Sequence, residues 1–458
     1  MTTRDIQHLY WRAGFGLTPK QILKKESKSK AQIVEEIFEA SKPINQISLN
    51  LSVFNLFTQK YVYKNKERRK KLSQLNGKQT KHFNVKWIET IASSKTVLRE
   101  KMVLFWANHF VCKDVNTRYI YSYNNMLRIN ALGDFRVFVK AMSKEASMIK
   151  YLNLNQNNKK NPNENFAREL LELFTLGEGN YTEKDIKECA RAFTGYSFNF
   201  EGDFNLSKGK HDTGDKTVFG KKGNFDGDDV LDLILSKKQC ARYICEKIYL
   251  HFVNDVPNKR RIEEMTTVFF ENYNIEELMR YVFLSDWFYD KNNVGNKIKS
   301  PIDYLVGMHK IVPIKFRKEQ ELYRLQTLLD QVLLYPPNVA GWEGGKSWIT
   351  TSSLVLRIKM PSMIFEKESY TFKTKGNINN RNLRIVSVKN KYQDKLDVYV
   401  DWKTYKKRVK QLPLSTLVDT LILCDINPGT ARYISTFGRK PKKKNLVKIM
   451  SLPEYQMC

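Results

Sequence analysis

The sequence predicts a mainly α-helical globular protein with irregular, glycine-rich loops and a small, partly β insertion near the C-terminus. Hydrophobic residues make up 41% of the 458 residues and aromatic residues 12%, which is enough apolar material to bury a large core. Apolar residues recur at helical spacing along most of the chain, and helix-start signals such as Thr18-Pro19 precede them. Together these observations predict a multi-helix core.

The N-terminal part of the chain contains three predicted amphipathic helices. The buried side of the first consists of Ile6, Leu9, Tyr10 and Ala13. His8 and Arg12 are one turn apart and flank that side. Ser29 is a typical N-cap for the second helix, and His109 lies on the apolar face of the third, which spans 96–110.

Segment 163–176 has the clearest helical pattern in the chain, and Gly177 stands where a C-cap glycine is expected. Thr182 and Asp185 have the spacing of a capping box, so another helix follows. Glycines are too frequent in 197–228 for a helix. We expect a long irregular loop there, with a short hairpin at most.

Helical patterns return at 229–235, 239–252, 262–270 and 274–283, and a second irregular stretch covers 336–345. Residues 370–410 are polar, with short apparent strands at 386–388 and 396–400, before a helix at 414–424. The domain prediction is therefore a main helical domain at 1–368, an insertion at 369–412, and C-terminal helices at 413–458 that pack back on the main domain.

The chain is strongly basic, with 78 Lys+Arg against 48 Asp+Glu and a formal net charge of +30. This charge fits either a polyanion partner or a lysine-rich surface that favours solubility. Lysines are spread over most of the chain, with local peaks only at 64–71 and 439–444. The even spread favours the solubility explanation, and polyanion binding stays an alternative.

The six cysteines are scattered and form no C-x-x-C pair. This pattern is unlike a disulfide framework or a zinc ribbon, and the motif for covalent c-type haem is absent from the sequence. The N-terminal residues show no signal-peptide pattern, and no window is apolar enough for a transmembrane helix. We expect a cytoplasmic protein, although export together with a partner stays open.

Several short motifs occur in a fixed order and carry a resemblance to a known family. They include His8–Gly16, Trp106–Phe110, Asn163–Leu173, Arg191–Gly195, His211–Gly220, Pro336–Trp342 and Ser451–Gln456. In this order they resemble the family called domain of unknown function 1800 (DUF1800), over nearly the whole chain. The resemblance implies a helical fold and no particular activity. It also suggests, as a partner, an alkaline-phosphatase-like protein, which often accompanies family members.

Polar residues within these motifs are the candidate site residues. The candidate catalytic residues are His109, Arg168, Glu169 and Glu172. The candidate ligand-binding residues are His8, Arg12, Asn165, His211, Asp212 and Lys216. In an enzyme or small-ligand protein, Glu169 or Glu172 would act as acid or base, Arg168 and Lys216 would hold an anionic group, and His109 would orient the ligand or move a proton.

Each candidate also has an ordinary structural explanation: a core histidine, surface ion pairs on a helix, or a polar loop. A divalent metal held by His109, His211 and one of the two glutamates is possible but less favoured, because no local metal-binding spacing is present. Three functions therefore stay open: an enzyme or small-ligand protein, which we favour slightly, a non-catalytic partner or maturation factor of an alkaline-phosphatase-like protein, and a polyanion-binding protein.

Overall fold

The computed structural model describes residues 1–59, 62, 65–369 and 395–458. The fold is mainly α-helical, as predicted: the described residues form 21 helices and only two-stranded sheets. The first ten helices are α1 Thr3–Arg12, α2 Pro19–Leu23, α3 Lys30–Ser41, α4 Lys66–Ser93, α5 Val97–His109, α6 Thr117–Asn130, α7 Phe135–Lys144, α8 Ala146–Tyr151, α9 Asn165–Glu169 and α10 Glu183–Ala192. The others are α11 Gly227–Leu235, α12 Lys238–Phe252, α13 Lys259–Asn272, α14 Ile275–Leu284, α15 Pro301–Ile311, α16 Glu319–Leu328, α17 Thr351–Phe365, α18 Trp402–Val409, α19 Leu414–Leu421, α20 Pro428–Ser435 and α21 Lys443–Met450.

Three antiparallel strand pairs complete the described fold. Two are hairpins within the glycine-rich loop, β1 (Tyr196–Phe198) with β2 (Phe204–Leu206) and β3 (Lys216–Val218) with β4 (Lys221–Gly223). The third joins distant parts of the chain, since β5 (Ile314–Phe316) pairs with β6 (Val398–Val400). The segment 197–228 thus contains two hairpins, whereas we expected an irregular loop with one short hairpin at most.

Capping interactions explain where several helices begin. The side chains of Ser29 and Thr182 accept hydrogen bonds from backbone N–H groups in the first turns of α3 and α10. Asp185 also completes the capping box that its spacing predicts, because its carboxylate accepts from the Thr182 backbone N–H at 2.9 Å. Such caps satisfy N–H groups that have no partner within the helix, and so they fix each start locally.

The segment 163–176 differs from the single helix that its pattern predicts. After α9 the backbone continues as a π-helical segment, Leu170–Thr175. Leu176 N–H donates to the Leu171 carbonyl at 2.9 Å, and the Thr175 hydroxyl donates to the Leu170 carbonyl at 2.6 Å. A π-helical turn inserts an extra residue into the helix, so it shifts the side chains that follow.

One cluster of buried apolar residues runs through the described structure, from Ile6 in α1 to Tyr455 near the C-terminal end. It includes Leu396, Val398, Tyr405 and Leu446, so the described part of 395–458 contributes to the same core. The predicted strand at 386–388 lies outside the described residues. The division into three parts at 368 and 412 stays a prediction. Among the described helices, none combines the length and hydrophobicity needed to cross a membrane.

Candidate functional site

A cavity of about 350 Å³ opens where α1, α5 and α12 approach the segments 297–303 and 331–348. We call it the α5–α12 cavity. Three tryptophans contribute to its walls, Trp11, Trp342 and Trp348, and each is less than a tenth exposed. Volumes of 300–1,000 Å³ are typical of small-molecule sites. The cavity therefore has the size and the apolar walls of a small-ligand pocket.

Two of the lysines that line the cavity are paired with carboxylates. Lys101 on α5 lies 2.7 Å from Asp303, and both side chains are largely buried. Lys297 pairs with Asp255 and also donates to the Leu250 carbonyl at 2.6 Å. The Lys101 ammonium lowers the pKa of Asp303 against the opposing effect of burial, so this carboxylate stays ionised. These two pairs are electrostatically balanced.

Arg12 is buried beside the cavity without a carboxylate partner. Its guanidinium donates to the Asn296 side-chain oxygen at 2.8 Å and to the Asn293 carbonyl at 3.2 Å, and it lies 3.5 Å from Cys458 Sγ. Its Nε has no hydrogen-bond partner among the described residues. Burial lowers the pKa of the guanidinium without removing its charge. Arg12 thus places a positive charge in the wall that no acid of the described protein neutralises directly.

Lys247 on α12 is the second cavity-lining cation that has no direct carboxylate partner among the described residues. Its ammonium lies over the ring of Tyr243, 5.0 Å from the centroid, and the side chain is accessible from the cavity. Desolvation lowers its pKa, and the neighbouring Glu246 raises it by a smaller amount. Besides Asp255 and Asp303, the exposed Glu343 at the rim is the one carboxylate side chain that lines the cavity among the described residues. The Lys247 ammonium is therefore accessible to an anion that enters the cavity.

Two histidines face the same cavity as neutral imidazoles. Burial and, to a smaller extent, the nearby Lys247 lower the pKa of His109 to about 3. His109 Nε2–H donates to the Phe174 carbonyl at 3.0 Å, which leaves Nδ1 as a hydrogen-bond acceptor. Burial, followed by the smaller effects of Lys101 and Lys297, lowers the pKa of His251 to about 3. The cavity therefore offers two uncharged groups that can accept a proton.

The π-helical segment closes one side of this site. Its last carbonyl groups lack partners within the helix, as at any helix end. The Leu173 carbonyl accepts from the Tyr243 hydroxyl at 3.0 Å, and the Phe174 carbonyl accepts from His109. The segment thus orients both Tyr243 and His109, although it places none of its own carboxylates among the cavity-lining residues.

The irregular stretch predicted at 336–345 forms the opposite wall. Asn108 holds it by two hydrogen bonds, since its amide donates to the Trp342 carbonyl at 3.0 Å and its side-chain oxygen accepts from Trp342 N–H at 2.7 Å. Gly341 has φ +81°, and a Cβ there would lie 2.3 Å from the Asn108 side-chain oxygen. Only glycine fits this close approach without displacing the loop.

The structure brings two of the sequence-predicted residues, Arg12 and His109, to the cavity. The loop residues form a separate local network. His211 Nδ1–H donates to the Thr194 carbonyl at 2.8 Å, and Asp212 lies 2.8 Å from Arg191. The buried Lys216 ammonium donates to the carbonyls of Asp212 and Gly214 at 2.7 and 2.9 Å. These contacts shape the glycine-rich loop around the end of α10.

The predicted carboxylate helix forms a third group. Arg168 pairs with Glu183 at 2.8 Å and Glu164 at 3.2 Å, with 39% of its side chain exposed. Glu172 accepts from the Tyr181 hydroxyl at 2.9 Å. Burial raises the pKa of Glu169, and the adjacent Glu172 raises it further.

The remaining two predicted residues have structural contacts. His8 is fully buried and its Nε2–H donates to the Phe288 carbonyl at 3.1 Å. Burial lowers the pKa of His8 well below its usual value, and Arg12 lowers it further. The Asn165 amide donates to the Leu152 carbonyl at 3.2 Å.

No group of three or more His, Cys, Asp or Glu side chains that could hold a metal comes together among the described residues. The set of His109, His211 and a glutamate considered from the sequence is therefore not assembled in this structure. His109 contacts the π-helical segment, whereas His211 contacts the end of α10.

Sequence reasoning missed Lys101, Lys247 and His251. A usable signal was present on α12, because Tyr243, Lys247 and His251 follow each other at four-residue intervals and so share one face. Lys101 likewise shares a face of α5 with Phe105 and His109. The spacing did not show that these two helix faces lie opposite each other across a cavity.

These features define a helical protein with an aromatic-walled, positively charged cavity. The chain belongs to a family described as "Protein of unknown function (DUF1800)", which matches residues 8–457 and so nearly the whole sequence. Neither the curated proteins nor the solved structures contain a match to this chain.

Proposed function

We propose that the protein binds a small anionic molecule in the α5–α12 cavity. The observation that carries this proposal is the pair of cations, Arg12 and Lys247, that line the cavity without a direct carboxylate partner among the described residues. An unneutralised charge in a partly desolvated site is unfavourable, and a bound anion relieves that cost.

The contacts of the two cations indicate that they have different roles in anion binding. Among the described residues, the hydrogen-bond partners of Arg12 are two asparagine oxygens and a cysteine sulfur, and none is a carboxylate. These contacts fix the guanidinium in the wall, so it acts on a bound anion mainly through long-range electrostatic attraction. Lys247 has no such restraint and can donate directly to a ligand oxygen. The tryptophan walls then favour a ligand that also carries an apolar or planar part.

This proposal refines the enzyme or small-ligand function favoured by the sequence and changes the residues that perform it. Lys247 and Arg12 take the anion-binding role first given to Arg168 and Lys216. A partnership with an alkaline-phosphatase-like protein, binding of a polyanion, and a cytoplasmic location stay alternative or additional proposals. No contact of the described structure favours one of them specifically.

Isothermal titration calorimetry of the full chain with sodium pyrophosphate, citrate and inorganic phosphate tests the proposal. We expect saturable, one-to-one binding of at least one of these anions, and we expect Lys247→Gln to weaken it about 10- to 100-fold because a charge-assisted hydrogen bond is worth about 1.5–3 kcal/mol. Lys184→Gln removes an exposed lysine of α10 away from the cavity and serves as the matched control. Absence of binding by all three anions, or equal weakening by both variants, contradicts the proposal.

A further inference from the structure

His251 differs from the other histidines of the chain in its hydrogen bonding. Five of the six histidines contact a backbone or carboxylate group through a ring nitrogen: His8, His82, His109, His211 and His309. Neither ring nitrogen of His251 hydrogen bonds with any residue in the described part of the chain, and the side chain is partly exposed where it lines the cavity. Its hydrogen-bonding capacity is therefore free for a ligand.

Aromatic packing holds this ring in place. The His251 ring centroid lies 5.1 Å from that of Phe105 on α5 and 4.7 Å from that of Phe252. A polar side chain that is held in place without hydrogen bonds to the protein is energetically unfavourable unless water or a ligand provides those hydrogen bonds. The packing fixes the His251 imidazole in place. Its two nitrogens have no hydrogen-bond partner among the described residues, so they are available to contact a ligand in the cavity.

Charged groups from several elements lie around His251, and the cavity that it lines also contains Lys247 on α12 and Glu343 on the 331–348 wall. Lys101 on α5, Lys297 on the segment before α15, and Arg12 on α1 all oppose a positive charge on the ring, whereas Asp303 on α15 favours one. Asp303 is already paired with Lys101, and Lys297 is already paired with Asp255. Burial is the largest effect that disfavours protonation of His251, and the three cations add to it. A bound anion opposes these effects by adding negative charge nearby.

We propose that His251 is the proton-accepting residue of the cavity and takes a proton when a small anion with an acidic O–H group is bound. This inference rests on the proposed anion binding and adds a chemical step to it. The ring nitrogen lone pair forms the new N–H bond, the ligand O–H bond breaks, and its electron pair stays on the ligand oxygen. The resulting oxyanion is stabilised by the neighbouring cations, and the imidazolium is stabilised by the anion.

The substrate class follows from this balance of charge. The ligand must carry a permanent negative charge, to offset the cations, and a separate acidic hydroxyl within reach of the ring. Hydrogen phosphates and monoprotonated phosphate monoesters share that chemistry, and monoprotonated pyrophosphate is a simple probe for it. A neutral molecule of the same size would leave His251 unprotonated.

Histidine-selective NMR tests the proposal directly. The full chain, with ¹³C in the Cε1 position of its histidines, is titrated between about pH 5.5 and 8 without and with saturating pyrophosphate, and the His251 signal is assigned from its absence in His251→Gln. We expect a constant, neutral shift without pyrophosphate and a clear titration of the His251 signal within this pH range with it. His82, outside the cavity, is the internal control for a general effect of the anion.

The outcomes separate this inference from the proposed function. If pyrophosphate binds and His251 stays neutral throughout, the proton-accepting role is overturned while anion binding stands. If pyrophosphate does not bind, the titration is repeated with whichever of citrate and inorganic phosphate binds in calorimetry, and if none of the three binds, both proposals fall. Should His251→Gln fail to fold, His251→Phe keeps an aromatic ring against Phe105 and provides the assignment instead.

Discussion

At the level of single side chains, the site depends on keeping imidazoles uncharged beside lysines. Burial is the main cause that lowers the pKa values of His109 and His251 to about 3, and Lys247 contributes to the first and Lys101 to the second. A protonated histidine would repel these lysines, whereas a neutral one can accept a proton or a hydrogen bond. The same arrangement has a consequence for the stability of the whole fold.

Stability should fall as the pH decreases below about 6.5. The pKa of each histidine in the folded state lies below its unfolded value of 6.5, so between these values the unfolded chain binds more protons. Each histidine then lowers the free energy of unfolding by about 1.4 kcal/mol per pH unit within that window. The contribution is fully present above the unfolded pKa and is lost towards acid pH.

Urea denaturation at about pH 8 and pH 5.5 measures this effect. The wild type should lose about 1.4 kcal/mol more on acidification than His109→Gln, and likewise more than His251→Gln, since each variant removes one such group. The comparison within each variant cancels any loss of packing. An unchanged pH dependence in both variants would show that the two imidazoles titrate normally in the folded protein.

At the level of the secondary-structure elements, local signals predicted many of the helices, but no prediction was made for the regular helices α4, α6 and α7, and π-helical backbone was not recognised. Caps such as Ser29 and Thr182 act within a few residues, so they can be recognised directly in the sequence. The π-helical segment Leu170–Thr175 has a regular apolar pattern and was predicted as an ordinary helix. Its extra residue is stabilised by partners distant in sequence, His109 and Tyr243, which a local pattern does not contain.

The wall formed by 331–348 depends on a glycine, and its replacement should have a large effect. In Gly341→Ala, the new Cβ would clash with Asn108 and break the two hydrogen bonds to Trp342. Gly179 is a matched control because its φ of +80° is nearly the same, and a Cβ at this position would have no described atom within 4 Å.

Both alanine variants have the cost of a left-handed backbone, about 1–2 kcal/mol. Gly341→Ala should lose about 1–3 kcal/mol more, from the clash and the unsatisfied Asn108 amide, in the free energy of unfolding measured with urea. It should also weaken anion binding, which Gly179→Ala should leave unchanged. Equal stabilities for the two variants would contradict this account of the loop.

At the level of the whole molecule, the site is assembled from parts of the chain that are far apart in sequence. Arg12 and His109 were candidates from the sequence because each lies on or beside an apolar helix face, and in the structure both line the cavity. Arg168, Glu169 and Glu172 looked equally suitable, yet their helix presents Leu173 to the cavity instead. Periodicity predicts which residues share a face, and only the packing of helices determines which faces meet.

The position of α5 in the core relies on a buried ion pair with α6. Arg128 on α6 forms two hydrogen bonds with Glu100 on α5, at 2.7 and 3.0 Å, and both side chains are almost fully buried. Glu100 lies next to Lys101 and on the same helix as His109. We expect Arg128→Met to lower the free energy of unfolding by about 3–5 kcal/mol, because it leaves the Glu100 carboxylate buried and unpaired.

Lys238→Met is the control, since it breaks the exposed pair with Glu263 and should cost at most about 1 kcal/mol. The double variant Arg128→Met, Glu100→Leu removes both buried charges and should recover much of the stability lost in the single variant. Urea denaturation of the four proteins provides the comparison. A loss below about 1 kcal/mol in Arg128→Met would mean that the pair contributes little to holding α5.

The central claim, an anion site in the α5–α12 cavity, is tested most directly by a crystal structure of the protein soaked in sodium selenate. Selenium's anomalous scattering, compared between selenate-soaked and unsoaked crystals, locates the anion without reference to the protein's shape. We predict a selenate peak inside the cavity, with an oxygen at hydrogen-bonding distance from the Lys247 ammonium, that is lost in Lys247→Gln. Selenate found only on surface lysines, with none in the cavity, would contradict the claim.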